Sequence, residues 1–555
     1  LMSSSNIDPR RKMALATGEV RAKISMTLER SLGLFGVIVI CISSMLGTGL
    51  FVLPAFVGEI AGNGAWLAYL LAASVVLPAA LSKSELASAM PSSGGSYVYL
   101  ERTFGRLFGT ISGLGLWASA MLKSAVALIG FSAYMYVITT YFDINIQLIV
   151  ISLSALVLIT ILNVLGMKKI KAFQYPILGI TLALLILVCI IQLFDPSTDL
   201  SRPFNEALST LKKEPLKIGE ATAFVFVAYA GVTKVAAIGG EVKNPGRNLP
   251  IGIMLSLLIS TAIYVFVTFM IGATIPGEWW NGSDGKIRED SIYIFVEAVA
   301  GPTVGLIIAI MAILTIISMA LAGILAASRF IFAMGKDHLL PQKLAEVHPK
   351  YETPFWPIVI TSVAMGICIL FLPVKDVAKL ASGFKIMIFI FINACVMVLR
   401  SSSQEHDWYL PEYRSHFYPW IQWWGIIGGI YLLVLMGDKA VIGGGSAIIL
   451  GLILYYGYGK SHDDKRKTPF QSFSEKMFGP IKIEEKKRSA AFHAADVGEK
   501  NKLNLQEFKI AVRALDFMLT SKDLEEIFKA IDLNKSGFID ENEFLEEIEK
   551  IAEEE

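Results

Sequence analysis

Gly47, Thr48 and Gly49 lie in the middle of an apolar stretch from about Leu32 to Val57, within Ile42-Ser-Ser-Met-Leu-Gly-Thr-Gly-Leu-Phe51. Glycine costs about 1 kcal/mol relative to alanine inside a helix, so two glycines bracketing a hydroxyl predict that the backbone opens there. Freed N–H groups and a positive helix end suit a carboxylate, while a freed carbonyl near Met45 suits an ammonium. A second apolar stretch, running from Phe226 through Val-Ala-Tyr-Ala-Gly-Val-Thr-Lys to Pro250, breaks in the same way at Gly231. Its candidate acceptors are the carbonyls of Phe226, Ala230 and Gly231, and Tyr229, Val232 and Thr233 are the side chains placed to choose among ligands. In hydrocarbon, open backbone survives only where protein or a watery cavity receives it. A patch of small residues for close helix packing is the structural alternative at the first break.

Charged side chains add to these two breaks. Lys123 falls inside one apolar segment and Lys234 directly follows the second break. An ionisable group inside a span is a functional hypothesis by default, so both are candidates for substrate handling or ion coupling; a structural ion pair is the alternative. Lys385, at the start of a later segment, is expected at an interface.

A different chemistry sits near the carboxy end. Asp532-Leu-Asn-Lys-Ser-Gly-Phe-Ile-Asp-Glu-Asn-Glu543 matches the twelve-residue calcium loop. Asp532, Asn534, Ser536 and Asp540 supply oxygens, Phe538 a backbone carbonyl, Gly537 the turn and Glu543 the bidentate closure. Upstream, Asp496 to Glu507 has the right ends, but Gly498 and Lys500 stand where ligands belong and Asn501 replaces the glycine. This loop is expected to pair with the other, Leu503 opposite Ile539, rather than to hold calcium.

The elements that must position these residues follow from composition. The 555 residues are 54% hydrophobic and 17% charged, with a mean hydropathy of +0.58, which places the chain among membrane proteins. A net charge of +1 gives no sign of nucleic-acid binding. Cys41, Cys189, Cys368 and Cys395 lie in apolar runs without metal spacing and read as buried thiols. No HExxH, phosphate loop or nucleophile elbow is present, so an enzyme is not expected. Twelve apolar segments approach the roughly 20 residues a span needs. Lys168, Lys169, Lys171, Lys243, Arg247, Arg329, Lys336, Lys343, Arg400 and Arg414 fall on alternate connections sharing a side with the basic amino end. Basic excess marks the cytoplasm, so both termini are expected there, in a plasma (inner) membrane. Trp279 and Trp280 fit an interfacial belt on the other side.

The stretch Ser44-Met-Leu-Gly-Thr-Gly-Leu-Phe51 resembles the first-span signature of the amino acid, polyamine and organocation (APC) transporters, and Glu241-Val-Lys-Asn-Pro245 resembles their sixth-span tail. Glu85 to Tyr99 is similar to the loop after their second span, and Ser318 to Arg329 with Ala333 to Pro341 to their eighth span and its loop. The resemblance covers about Ser31 to Tyr458. It implies an all-α membrane protein of LeuT-like fold: twelve transmembrane helices, of which spans one to five and six to ten form inverted repeats, with the first and sixth discontinuous. The substrate implied is an amino acid, its common part bound by the opened backbone. Where the family often carries an aromatic and then an acidic residue after the sixth-span glycine, this chain has Val232 and Thr233, which argues for a small or mid-sized neutral substrate. The fifth-span lysine that stands in for a bound cation in many members is replaced by Thr181, so proton and sodium coupling both stay open.

The expected organisation is a cytoplasmic segment over 1–30, the transporter domain over 31–458, a linker over 459–489 and an α-helical EF-hand pair over 490–555. Calcium on the EF-hand, docking that unit against cytoplasmic loops of the same chain, is expected to regulate transport. The competing expectation is a calcium-responsive amino acid sensor without net transport.

Overall fold

The computed structural model describes residues 32–90, 95–144, 146–166, 170–232, 234–235, 239, 242–282, 287–348, 350–351, 353–402, 409–462, 468–478, 489, 491–496, 498, 500–514, 521–532, 536–541 and 543–545. The chain divides into two compact units, Leu1–Phe470 and Gln471–Glu555. In the first, the described regular structure is helical. The first segment comprises α1 (Leu34–Met45), the short α2 (Thr48–Phe51) and α3 (Leu53–Ala61), followed by α4 (Ala65–Ala89), α5 (Ser96–Phe104), α6 (Arg106–Tyr141), α7 (Leu148–Val164) and α8 (Ile170–Leu193). After α9 (Ser201–Lys213), the second half opens with α10 (Pro215–Val225) and a 3₁₀ turn over Phe226–Gly231. There follow α11 (Pro245–Thr274), α12 (Ser291–Lys336), α13 (Phe355–Phe371), α14 (Val374–Ser401), α15 (Trp420–Leu435) and α16 (Asp438–Gly457). Among the described residues, six helical runs are long and apolar enough to cross a membrane: Leu53–Ala89, Arg106–Tyr141, Pro176–Leu193, Pro245–Thr274, Ser291–Lys336 and Val374–Ser401.

Local sequence explains several boundaries. Asn244 takes a left-handed conformation (φ 45°) and Pro245 opens α11; asparagine tolerates that region and proline fits a first helical position because its missing N–H would be unpaired there anyway. Within α12, Gly301 (φ 83°) precedes Pro302 and bends the run, leaving one helix in sequence but two in geometry. The long α6 and α12 pack along each other, α11 lies against α4 and α1, and α14 lies against α6. The two broken segments are held inside this frame.

Helix α4 runs on to Ala89 and carries Lys83 and Glu85 inside the protein. Glu85 is completely buried. Arg400 forks onto it from α14, with Nε 2.8 Å from Oε1 and Nη2 2.6 Å from Oε2. Tyr409 Oη donates to Oε1 at 2.7 Å, and the Ser415 N–H and hydroxyl donate to Oε2, each at 2.8 Å. Burial, and then the adjacent Glu85 carboxylate, push the Tyr409 hydroxyl well above the ordinary phenol range, so it stays a donor. The Arg400 guanidinium also lies 4.3 Å from the Tyr418 ring centre. With every oxygen served, the carboxylate no longer has to end the helix.

At the other end of these helices, Trp279 and Trp280 are 4% and 9% exposed. Their rings lie so near Gly58 that an added Cβ there would meet them at 2.8–2.9 Å, and Trp279 Nε1 donates to Asn63 Oδ1 at 2.8 Å. The belt expected from sequence is therefore a plug against the first segment. Lys385 is also buried, over the Phe389 ring at 4.9 Å, and not at an interface. Cys41, Cys189 and Cys395 are buried free thiols, and Cys368 is half-buried.

In the second unit, β1 (Lys502–Leu503) pairs antiparallel with β2 (Ile539–Asp540), with Leu503 opposite Ile539 as the sequence indicated. Helices α17 (Leu505–Ala514) and α18 (Ser521–Ile531) help to close a core of Phe492, Phe508, Val512, Leu524, Phe528 and Phe544. Ile527 packs at its edge.

Breaking a buried ion pair by removing one partner costs about 3–5 kcal/mol, because the other charge is left uncompensated. Arg400→Ala is therefore expected to lower the thermal midpoint of the detergent-solubilised chain sharply. Arg400→Lys should restore only part of it, since one ammonium cannot fork across both oxygens. Melting at the parental temperature in both variants would contradict this role.

Candidate functional site

The first segment opens at Leu46 and Gly47, whose backbone (ψ 27° and −102°) leaves the helical range between α1 and α2. The chain re-enters a helix with Gly47 O accepting from Leu50 N (3.2 Å) and Phe51 N (3.0 Å). The N–H groups of Thr48 and Gly49 have no backbone acceptor among the described residues. Thr48 Oγ1 is buried and has no hydrogen-bond partner either. Three donors thus converge where a buried polar group without a partner is costly. Met319, from α12, lies across Gly47; a Cβ at Gly47 would strike its thioether sulfur and come 3.1 Å from its methyl carbon.

The second segment opens where α10 passes into the 3₁₀ turn. Ser382 of α14 bridges this junction: its hydroxyl donates to Phe224 O at 2.8 Å and accepts from Val227 N at 3.1 Å. A side chain from another helix thereby replaces the ladder bonds lost at the break. Phe226, Tyr229 and Val232 are buried and Ala230 is half-buried.

The two breaks touch. A Cβ at Gly231 would fall 2.5 Å from Ser44 O and 2.7 Å from Met45 N, and one at Gly49 would fall 2.7 Å from the Ala228 Cβ. Only glycine permits these approaches. The expected face-to-face placement of the breaks is present, but as direct contact.

Donors from the surrounding helices cover the carbonyls at this junction. Lys123 of α6, 8% exposed, places Nζ 2.9 Å from Ser44 O and 3.3 Å from Ala228 O, one carbonyl from each break. Among the described residues no carboxylate lies within ion-pair distance of it. Tyr264 of α11 donates to Met45 O at 2.6 Å, and Tyr69 of α4 donates to Gly49 O at 2.7 Å. Tyr229 donates across to Tyr69 O at 2.9 Å, and Cys41 Sγ to Val232 O at 3.3 Å.

Sequence reasoning singled out Met45, Gly47, Thr48, Gly49, Gly231 and Lys123, and the structure brings them together. It also nominated the carbonyls of Phe226, Ala230 and Gly231, whereas the donors from α6 and α11 reach Ala228 O. Lys234 is half-buried after the break, and Thr233 lies outside the described residues. Thr181 is buried in α8, its hydroxyl donating to Ile177 O of its own helix at 2.7 Å. Tyr69, Tyr264, Met319 and Ser382 were missed. A lone tyrosine amid Ser260-Thr-Ala-Ile-Tyr-Val-Phe-Val was the available signal.

The second unit carries the oxygen-rich loop. Asp532 Oδ1 accepts from Ser536 N and Oδ2 from Gly537 N, each at 2.8 Å. Asp540 N donates to Glu543 Oε2 at 3.0 Å, and Glu543 N to Asp540 Oδ1 at 2.9 Å. This reciprocal pair is a capping box, repeated in the upstream loop by Asn504 and Glu507 at 2.9 and 3.0 Å. There Lys500 Nζ stands 3.7 Å from Glu507 Oε1, an ammonium beside the carboxylate that would close a metal shell. Asn501 supplies the left-handed turn (φ 53°) in place of glycine. The donors offered by Asp532, Ser536, Phe538, Asp540 and Glu543 are all oxygens, the set a hard cation takes; Asn534 lies outside the described residues. Among the described residues, no three acidic, histidine or cysteine side chains are gathered as a metal cluster.

Residues 36–475 match the amino acid permease family, and residues 485–549 match the EF-hand domain pair. The chain is 29% identical over 461 residues to the branched-chain amino acid permease BcaP of Bacillus subtilis, covering 79% of this chain and 94% of that protein. It is 28% identical to the methylthioribose transporter of the same organism, covering 81% of this chain and 98% of that protein. It is also 26% identical to that organism's serine/threonine exchanger SteT, covering 78% and 98%.

Gly231→Ala is expected to force the two breaks apart and to lower the thermal midpoint, because the Cβ meets fixed backbone and not a flexible side-chain tip. Gly179→Ala, inside α8 where nothing lies within 4 Å, is the control and should melt at or above the parental temperature. Equal melting of the two variants would contradict the contact.

Proposed function

The chain belongs to the amino acid permease family, and from that membership we propose that it is a secondary active transporter of neutral amino acids, working by alternating access and regulated by calcium through its EF-hand pair. The observation that carries the reading is the meeting of two broken segments, with three unpartnered donors at Thr48 and Gly49 beside carbonyls from both halves. A zwitterion needs those two sets of partners in low dielectric. The donors at Thr48 and Gly49 take the carboxylate, Gly47 N–H being committed to Met45 O at 2.9 Å, and carbonyls around Met45 and the 226–231 turn take the ammonium. Tyr229, Val232 and Thr233 bound the side chain. Val232 and Thr233 bring no carboxylate, which argues against a cationic substrate, and the names of two relatives, a branched-chain permease and a serine/threonine exchanger, support uncharged side chains.

In this reading twelve helices cross the plasma membrane, α1–α3 as the first and the segment from α10 through Lys234 as the sixth, arranged as two inverted five-helix repeats with both termini cytoplasmic. Discontinuous helices in corresponding positions of two halves are what such repeats place at the midplane. Lys123 supplies a fixed cation to carbonyls of both breaks, the task a bound metal cation performs elsewhere, while Lys234 and Thr181 flank the pathway. Counterflow of a labelled neutral amino acid into liposomes loaded with the unlabelled one is expected to be saturable, and unchanged when choline replaces sodium. A strict sodium requirement would remove Lys123 as the resident cation. Tight binding without flux would favour the sensor.

For the EF-hand pair, Asp532, Asn534, Ser536, Phe538, Asp540 and Glu543 hold one calcium ion, while Lys500 keeps the upstream loop metal-free. Calcium then competes with the helix cap for Glu543, and releasing that cap changes what the unit presents to the cytoplasmic loops of the same chain. Titration of the full chain is expected to find one calcium per chain, lost in Glu543→Gln together with any calcium response of counterflow. Two equivalents in the parent, or an intact response in the variant, would contradict this.

A further inference from the structure

Resting on the transport reading, we propose that Tyr264 is a place-holder for the substrate's ammonium group, and that exchange of its hydroxyl for that ammonium is what makes the site demand an amino group. Tyr264 is completely buried. Its hydroxyl lies 2.6 Å from Met45 O and 3.5 Å from Ala228 O, so its tip stands between the two breaks. A Cβ at Gly49 would strike that oxygen and come 2.9 Å from the ring carbon bearing it. The phenol therefore fills the corner bounded by Met45, Gly49 and Ala228, where acceptors from both halves converge.

The chemistry of exchange is asymmetric. A phenol donates one hydrogen, whereas an ammonium donates three and carries charge. One ammonium can satisfy Met45 O and Ala228 O together, through charge-assisted bonds roughly twice as strong as neutral ones. Met45 O also accepts from Gly47 N at 2.9 Å, so an analogue without the amino group would displace the phenol and leave that buried carbonyl one donor short, which is penalised. Tyr264 has a track to move along. Its ring is tilted 32° against Tyr69 at 4.9 Å and stands edge-on to Tyr229 at 5.3 Å. Those two rings are themselves fixed, by the Tyr69 bond to Gly49 O and the Tyr229 bond to Tyr69 O. Slot and slider are thus separate residues.

The test uses the full chain in liposomes. In Tyr264→Phe, Met45 O starts without the phenolic donor, so a neutral amino acid is expected to bind about three- to tenfold more tightly, with maximal counterflow no faster than in the parent. Tyr134→Phe removes a comparable buried bond, to Phe51 O at 2.8 Å, one turn further along the same segment; its affinity should match the parent's. Unchanged or weaker affinity in Tyr264→Phe, or an equal gain in Tyr134→Phe, would overturn the inference. A second measurement needs no variant: the parent should prefer an amino acid over the 2-keto acid with the same side chain by about a hundredfold or more, and equal affinities would overturn the inference. Counterflow absent from the parent removes the transport reading itself, whereas counterflow with an unmoved Tyr264→Phe affinity removes only this inference.

Discussion

Backbone carbonyls that leave a helix inside an apolar protein need donors, and the permease unit is built around meeting that need at Ser44, Met45, Gly49 and Ala228. Three side chains from different parts of the frame reach them: Lys123 from α6 serves Ser44 and Ala228, Tyr264 from α11 Met45, and Tyr69 from α4 Gly49. Leaving one such group unpaired costs about 1–3 kcal/mol. The opened segments are therefore kept open by the helices around them.

Glycine sets how close the halves come. Gly231 lies directly on the Ser44 and Met45 backbone, and Gly49 beside Ala228 and Tyr264. The donors at Thr48 and Gly49 and the carbonyls of Ser44 and Met45 are separated by only a few residues of α1 and α2. Away from the junction, charge is handled differently. Glu85 is surrounded by Arg400, Tyr409 and Ser415, all of its oxygens engaged, which suits a fixed joint between α4 and α14. Among the described residues Lys123 is held by carbonyls alone.

Much of this was legible in the sequence because it rests on residue types with few uses. Gly-Thr-Gly in an apolar run and Gly231 in another either open a helix or admit a close neighbour, and here they do both; both breaks lie where they were read. Leu503 opposite Ile539 followed from loop spacing alone. What was hidden depends on which helix faces which. Nothing local distinguishes Tyr264 from any apolar-span tyrosine, and Ser382 becomes a bridge only because α14 passes the second break. Lys385 and the Trp279–Trp280 pair were misplaced for a related reason: a charge near a segment end and a tryptophan pair favour interfaces on average, but here neighbouring helices bury them. Glu85 looked like a loop residue until its partners, more than 300 positions away, entered the account.

The central claim is that the opened backbone at Thr48 and Gly49 receives the substrate's carboxylate. Hydrogen exchange of those two amides, followed in the full chain in lipid nanodiscs as a neutral amino acid is added, tests it most directly. The account predicts that exchange at Thr48 and Gly49 slows with the same concentration dependence as binding, while amides in α16 stay unchanged. Saturating binding with exchange at Thr48 and Gly49 unaltered would contradict it.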